Sequence, residues 1–265
     1  MTDGSRSILL GLGRGAIDFI YPPTCALCEA RLHPFEQRVC DPCRAALLVE
    51  DTWRCRRCGA TGTGDPPRRG QACDYCPPPG AGYEGTLAAT HYNDPVSRCV
   101  HLYKYHRRME LGDLMADMMI ARLAEALAAL EGRAAWIVPV PLHWMRRARR
   151  GFNQSARLAA RMAEALPLEP RAEALRRIRY TPMQTHIPPE RRAANVAGAF
   201  AVPAALRDRL PGVLLVDDVV TSGSTAAECA RTLRAAGAPQ VWVAAFARAR
   251  PSAPATTAGA ADAAE

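Results

Sequence analysis

The sequence predicts an α/β domain preceded by a small cysteine-rich module. Three observations predict it. First, Val213–Val216 reads as a short buried strand, followed by a carboxylate doublet, a glycine-centred hydroxyl-rich loop and a helical run that stops at Gly237. Second, the apolar strand-like segments 83–94, 135–142 and 240–246 are interspersed with stretches of helical periodicity. Third, eight of the ten cysteines fall between residues 25 and 76.

A length of 265 residues accommodates two domains, at a prior of about 150 residues each. No run of 18 or more apolar residues occurs, so no membrane span is expected. Residues 1–20 lack the compact apolar core and small-residue cleavage site of an export signal. They read instead as an amphipathic helix over about residues 6–20, capping a domain or making peripheral contact with a membrane. The cytoplasm is the expected compartment. The net charge of +8 suits a nucleic acid, an anionic metabolite or a membrane surface. All but one of the basic residues are arginine, which together with the many alanines points to a high-GC coding bias. The one lysine, Lys104, is therefore worth marking, because a compact ammonium and a planar guanidinium do different work.

The cysteines form four C-x-x-C pairs: Cys25/Cys28, Cys40/Cys43, Cys55/Cys58 and Cys73/Cys76. Each pair presents two thiolates to one tetrahedral ion, and two pairs complete a Cys₄ zinc site. Two structural Zn²⁺ sites are expected, paired sequentially in the simplest case or cross-braced in the alternative. Segment 21–80 is rich in Pro, Gly and Arg and has little else to hold it together. Zinc binding contributes roughly 10–16 kcal/mol in small fingers and can replace a missing core. Disulfides would need an oxidising compartment, for which no export signal speaks. Cys99 and Cys229 stand apart on predicted helices and read as buried thiols.

The linker Pro77–Gly80 leads into the domain expected over 81–248. Segment 83–94 reads as a strand entering a turn, and 95–107 and 111–130 as two helices. The second helix repeats apolar residues at 111, 114, 115, 118 and 119, a core face rather than a methionine metal site. Lys104 lies at the end of the first helix, either as a solvated cation or beside an anionic ligand. Ala135–Leu142 is the next buried strand. Arg146, Arg147, Arg149 and Arg150 gather just beyond it, where a parallel sheet binds its ligands. A helix over 153–166 and a strand over 174–180 follow. Segment 181–195 is polar, proline-broken and arginine-bearing, the composition of a lid. Gln240–Phe246 is the last core strand, and 249–265 an aperiodic tail expected to be disordered.

The segment from Val213 to Thr225 carries the most chemistry. Asp217 and Asp218 stand at the strand's C-terminal end, and Thr221, Ser222, Gly223, Ser224 and Thr225 follow before the helix. Unpaired N–H groups at a helix start, with the helix dipole behind them, favour an anion such as phosphate. A bare phosphate site would not want two carboxylates beside it. A ligand carrying phosphate, sugar hydroxyls and a divalent cation would.

This stretch resembles the phosphoribosyl-pyrophosphate (PRPP) signature of type I phosphoribosyltransferases. The resemblance implies Asp217 and Asp218 on the ribose, residues 221–225 around the 5-phosphate, Mg²⁺ with PRPP, and the four arginines on the pyrophosphate. The motifs V-P-V-P-L, R-G-F-N-Q, R-Y-T-P-M-Q and R-R-A-A-N-V-A-G-A-F, in that order behind four cysteine pairs, resemble the ComF family over roughly residues 20–248. That resemblance implies a type I phosphoribosyltransferase fold, with a five-stranded parallel sheet, flanking helices and a small hood, behind a double zinc ribbon. It also implies single-stranded DNA and the competence machinery as partners. Whether PRPP is only bound, or its ribose 5-phosphate is transferred to an acceptor, stays open at this stage.

Overall fold

In a computed structural model, residues 22–33, 38–48, 53–55, 61–62, 64–65, 68, 71–73, 76, 79–184 and 187–249 are described. The helix expected over 6–20, Cys58 and all but Ala249 of the expected tail lie outside them.

The N-terminal module contains a short helix α1 (Asp41–Leu47) and a two-stranded antiparallel ribbon, β1 (Trp53–Arg54) with β2 (Thr61–Gly62). Five parallel strands then form the central sheet: β3 (Thr86–His91), β4 (Trp136–Pro139), β5 (Glu169–Pro170), β8 (Val213–Val220) and β9 (Val241–Arg248), in the order β3-β9-β8-β4-β5. The central strands β8 and β9 are buried along nearly their whole length, as expected where helices cover both faces. A separate antiparallel pair, β6 (Arg176–Arg177) with β7 (Phe200–Ala201), forms the small hood. The strand expected over 174–180 shrinks to these two residues, because it finds only this short partner.

Helices α2 (Asp94–Tyr105) and α3 (Met109–Ala128) follow β3. Asn93 caps α2, its side chain accepting from the Val96 amide at 3.0 Å, and Pro95 occupies the first turn. On α3 the expected face is the observed one: Leu111, Leu114, Met115, Met118 and Met119 are all buried. Cys99 and Cys229 are fully buried thiols, and burial pushes Cys99 up to about 12. Helix α5 (Gln154–Ala163) packs on α3 and on β8. Beyond the hood-side helix α6 (Arg192–Val196), the helix α7 (Ser224–Ala235) follows β8 and ends before Gly237, whose φ of +101° suits glycine.

Two further details differ from the sequence reading. Strand β8 does not stop before the carboxylates but runs through Asp217 and Asp218 to Val220, because β9 pairs with it as far as Arg248. The edge strand β5 was not foreseen: two exposed residues, one of them proline, carry no strand signal of their own.

Candidate functional site

The cavity at the C-terminal edge of the sheet is about 310 Å³ and opens to solvent among β8, the β8–α7 loop, α2, α4 (Trp144–Arg150) and the hood. It is therefore where a parallel sheet places its ligand.

The loop from Thr221 to Gly223 leads straight into α7. Gly223 takes φ +75° as the N-cap, and a Cβ there would lie 2.8 Å from the Tyr83 hydroxyl, so both backbone conformation and space demand glycine. Ser222 and Ser224 bond to each other at 2.9 Å, and Gln184 donates to Thr225 Oγ1 at 3.4 Å. Helix α7 begins at Ser224, two residues earlier than the apolar spacing predicts, so Ser224 and Thr225 lie in its first turn and their amides belong to the unpaired set at the helix start.

The carboxylate doublet is already partnered. Asp217 Oδ1 accepts from Ser155 Oγ at 3.0 Å and from the Asp218 amide at 2.9 Å. Asp218 Oδ1 accepts from the Val219 amide at 2.7 Å, and Asp218 Oδ2 pairs with Lys104 Nζ at 2.7 Å. Burial, then the neighbouring Asp218, push Asp217 up to about 7 against the pull of Lys104 and Ser155. Burial works against the charge of Lys104, but the Asp218 carboxylate more than offsets it and holds its pKa above the ordinary lysine value. The lone lysine thus lies on the acidic doublet, not in a solvated helix end.

Of the four arginines expected at the site, Arg146 and Arg150 line the cavity and Arg147 and Arg149 do not. The segment is a helix rather than a loop. His143 caps α4, accepting from the Met145 amide at 3.3 Å, and Gly151 ends it at φ +84°. Spacing of four puts Arg146 and Arg150 on one face and turns Arg147 and Arg149 to solvent. Sequence reasoning missed Arg177, Arg192, Ser155, Gln184 and Tyr105, all of which line the cavity. Arg177 and Arg192 had a signal, because they lie in or beside the hood and lid segments already noted. The cavity brings Lys104, Arg146, Arg150, Arg177 and Arg192 against only Asp217 and Asp218. Its cationic excess favours a ligand with more than one negative charge.

The zinc ribbon supplies a second kind of site. The sulfurs of Cys25, Cys28, Cys40 and Cys43 lie within 4.8 Å of one another, and so do those of Cys55, Cys73 and Cys76. The pairing is sequential rather than cross-braced. Sulfur separations of 3.6 Å (Cys28–Cys40) and 3.8 Å (Cys55–Cys76, Cys73–Cys76) fit the edge of about 3.8 Å of a tetrahedron with Zn–S near 2.3 Å. They are far longer than an S–S bond of about 2.05 Å. Burial resists ionisation of Cys25, but backbone N–H groups, among them Leu27's at 3.4 Å, hold its thiol down to about 6. Burial and the other three thiols push Cys43 far up. Four thiols in that space ionise together only around a cation. The donor sets fit Zn²⁺, with no coordination position left open in the first.

Among the described residues no helix is long and apolar enough to cross a membrane.

Residues 16–77 match the double zinc ribbon domain family. The chain is 32% identical over 227 residues to DNA utilization protein YhgH of Escherichia coli K12 and 33% identical over 228 residues to that of Salmonella typhi, covering 83% of this chain and 96% of each relative. It is 26% identical over 228 residues to competence protein F of Haemophilus influenzae, covering 85% of this chain and 96% of that protein. With identity above 30% across nearly the whole of the YhgH chains, and the ribbon, parallel sheet and cavity in place, this chain belongs to the ComF family.

Proposed function

We propose that the cavity binds PRPP, or a related phosphorylated ribose, with Mg²⁺. The observation that supports this reading is the meeting, around one opening, of an acidic doublet, an amide-lined loop and a cluster of cations. The loop at Thr221–Thr225 would hold the 5-phosphate through backbone N–H groups and hydroxyls. Asp217 and Asp218 would accept from ribose hydroxyls. Arg146, Arg150 and Lys104 would face the pyrophosphate, with bidentate arginine contacts favoured. Mg²⁺ fits as an ion brought in on the ligand's phosphates: three of the four oxygens of the doublet already have partners, and this ion keeps water and phosphate ligands by preference. When bound it would supply charge neutralisation at the pyrophosphate. The ligand-binding domain would span 81–248 and the double ribbon 21–80, in a reducing compartment, the cytoplasm, that preserves the thiols.

Calorimetry with PRPP and Mg²⁺ tests the reading. The wild type should bind, and the Asp217→Asn/Asp218→Asn double variant should lose about tenfold or more in affinity, as expected for removing charge-assisted hydrogen bonds. Equal affinity in both would remove the site.

The relatives' names connect the family with DNA utilization and competence. On that basis the PRPP-binding domain would work in DNA uptake, handling single strands together with competence machinery. A transferase reading is favoured by one further observation. Asp217, held near pH 7 beside the opening, is suited to take a proton from an acceptor as the acceptor's lone pair bonds to C1 and the C1–O bond to pyrophosphate breaks. Release of pyrophosphate during an acceptor screen would report that activity.

A further inference from the structure

Outside the cavity mouth lies a surface that the ribose-phosphate reading leaves unused. Trp144 is 70% exposed, Ile178 63% and Tyr180 49%. The buried His143 ring lies 5.6 Å from Trp144 and 5.3 Å from Tyr180, edge-on to the latter, and so holds both aromatics on one patch. The Arg146 guanidinium stands 5.4 Å from the centre of the Tyr180 ring, and Arg146 also lines the cavity. Patch and cavity are therefore contiguous. The stretches around these residues, 143–163 and 174–184, contain no Asp or Glu. They do carry the exposed Arg147, Arg149, Arg176 and Arg179. Exposed aromatic faces among arginines, with no acidic residue in either segment, are the ingredients of a single-strand nucleic-acid platform: rings stack on unpaired bases, and guanidinium groups take the phosphates.

We infer that cavity and patch together bind single-stranded DNA by its 5′-phosphorylated end. The terminal phosphate lies in the Thr221–Thr225 loop, the next bases stack on Trp144 and Tyr180, and the arginines take the internucleotide phosphates. The inference rests on the ribose-phosphate reading, because a 5′-terminal nucleotide is itself a pentose 5-phosphate. The acidic doublet does not bar the strand. Lys104 pairs with Asp218, Ser155 donates to Asp217, and the cavity's cations outnumber its carboxylates. A deoxyribose, lacking the 2′-hydroxyl, is accommodated because those carboxylates already have donors. Duplex DNA would hide its base faces from both rings.

The test uses the full-length, zinc-loaded protein and short single-stranded oligonucleotides labelled at the 3′ end, followed by fluorescence anisotropy. The 5′-phosphorylated strand should bind about tenfold more tightly than its 5′-hydroxyl twin. Saturating PRPP with Mg²⁺, or the substitution Ser224→Asp at the helix start, should erase that preference. Trp144→Ala and Tyr180→Ala, at exposed positions where folding is not at stake, should weaken both strands by about fivefold or more and leave their ratio intact. Equal affinity for the two ends, a preference that PRPP does not erase, or aromatic variants that bind like wild type would each overturn the inference. PRPP binding with indistinguishable strand ends would sink the inference alone. Failure of PRPP itself to bind would remove the reading beneath it.

Discussion

Asp217 shows at the scale of one residue how burial sets chemistry. Its ordinary pKa is 3.8, and burial with Asp218 alongside lifts it to about 7 when folded. Between those values the folded protein holds a proton that the unfolded chain has released. Stability contributed by this group therefore falls as pH rises through that window and levels off above about 7. Asp217→Asn should remove that decline: its melting temperature should exceed the wild type's at pH 8, and the gap should close toward pH 4. Thermal denaturation at both values checks this, and a constant gap would show that Asp217 does not titrate there. Lys104 makes a related point. The sequence marks it only as the chain's one lysine at the end of a helix, whereas its 2.7 Å contact with Asp218 joins residues over a hundred positions apart.

Helices α2 and α3 carry the argument at the scale of elements. Tyr103, fully buried on α2, donates to the Gln154 carbonyl at 3.1 Å and packs on Phe152 with ring centroids 5.3 Å apart. Its ring passes over Gly112 on α3, where an added Cβ would lie 2.6 Å from the ring. Gly112 is thus a close-approach glycine inside a helix, accepted despite its poor propensity because it lets Tyr103 seat. Gly112→Ala should destabilise the protein by roughly 1–3 kcal/mol through overpacking. Because Lys104 follows Tyr103 directly, the variant should also weaken PRPP binding. Urea denaturation and calorimetry read the two effects, and an unchanged midpoint would show that the ring yields freely. The periodicity of α3 was legible in Leu111, Met115 and Met119. The reason for its glycine was not, since Tyr103 belongs to another helix.

Across the whole molecule, the two zinc clusters are joined to the α/β domain unequally. Cys25, Leu27, Val39, Cys40 and Leu47 share one apolar core with Val96, Leu111, Met115 and Phe246. Thr90 on β3 donates to the Leu47 carbonyl at 2.8 Å, and Arg38 pairs with Asp117 on α3 at 2.8 Å. Cys55 and Cys73, by contrast, lie in a separate small apolar cluster with Trp53 and Cys76. Cys25→Ser should therefore lower the melting temperature of the entire chain. Cys73→Ser should lose one zinc while leaving the main transition and PRPP affinity near wild type. Metal analysis alongside calorimetric scanning separates the cases, and equal losses of stability would show that both clusters support the sheet. The first cluster thus packs into the core of the α/β domain from the far side of the expected linker 77–80.

The sequence alone determined what depends on near neighbours along the chain. Cysteine pairs three positions apart present thiolates whatever surrounds them, a strand–glycine–helix segment leaves unpaired N–H groups at the helix start by its own backbone, and the buried face of α3 follows from a period of 3.6. Only the tertiary structure decided which cysteine pairs share an ion, that Arg146 and Arg150 but not Arg147 and Arg149 reach the cavity, that Arg177 joins them there, and that Ser155 and Lys104 meet the acidic doublet. Those facts depend on where separate elements come to rest. Their placement is set by burial of apolar faces summed over the whole sheet, which no local pattern encodes.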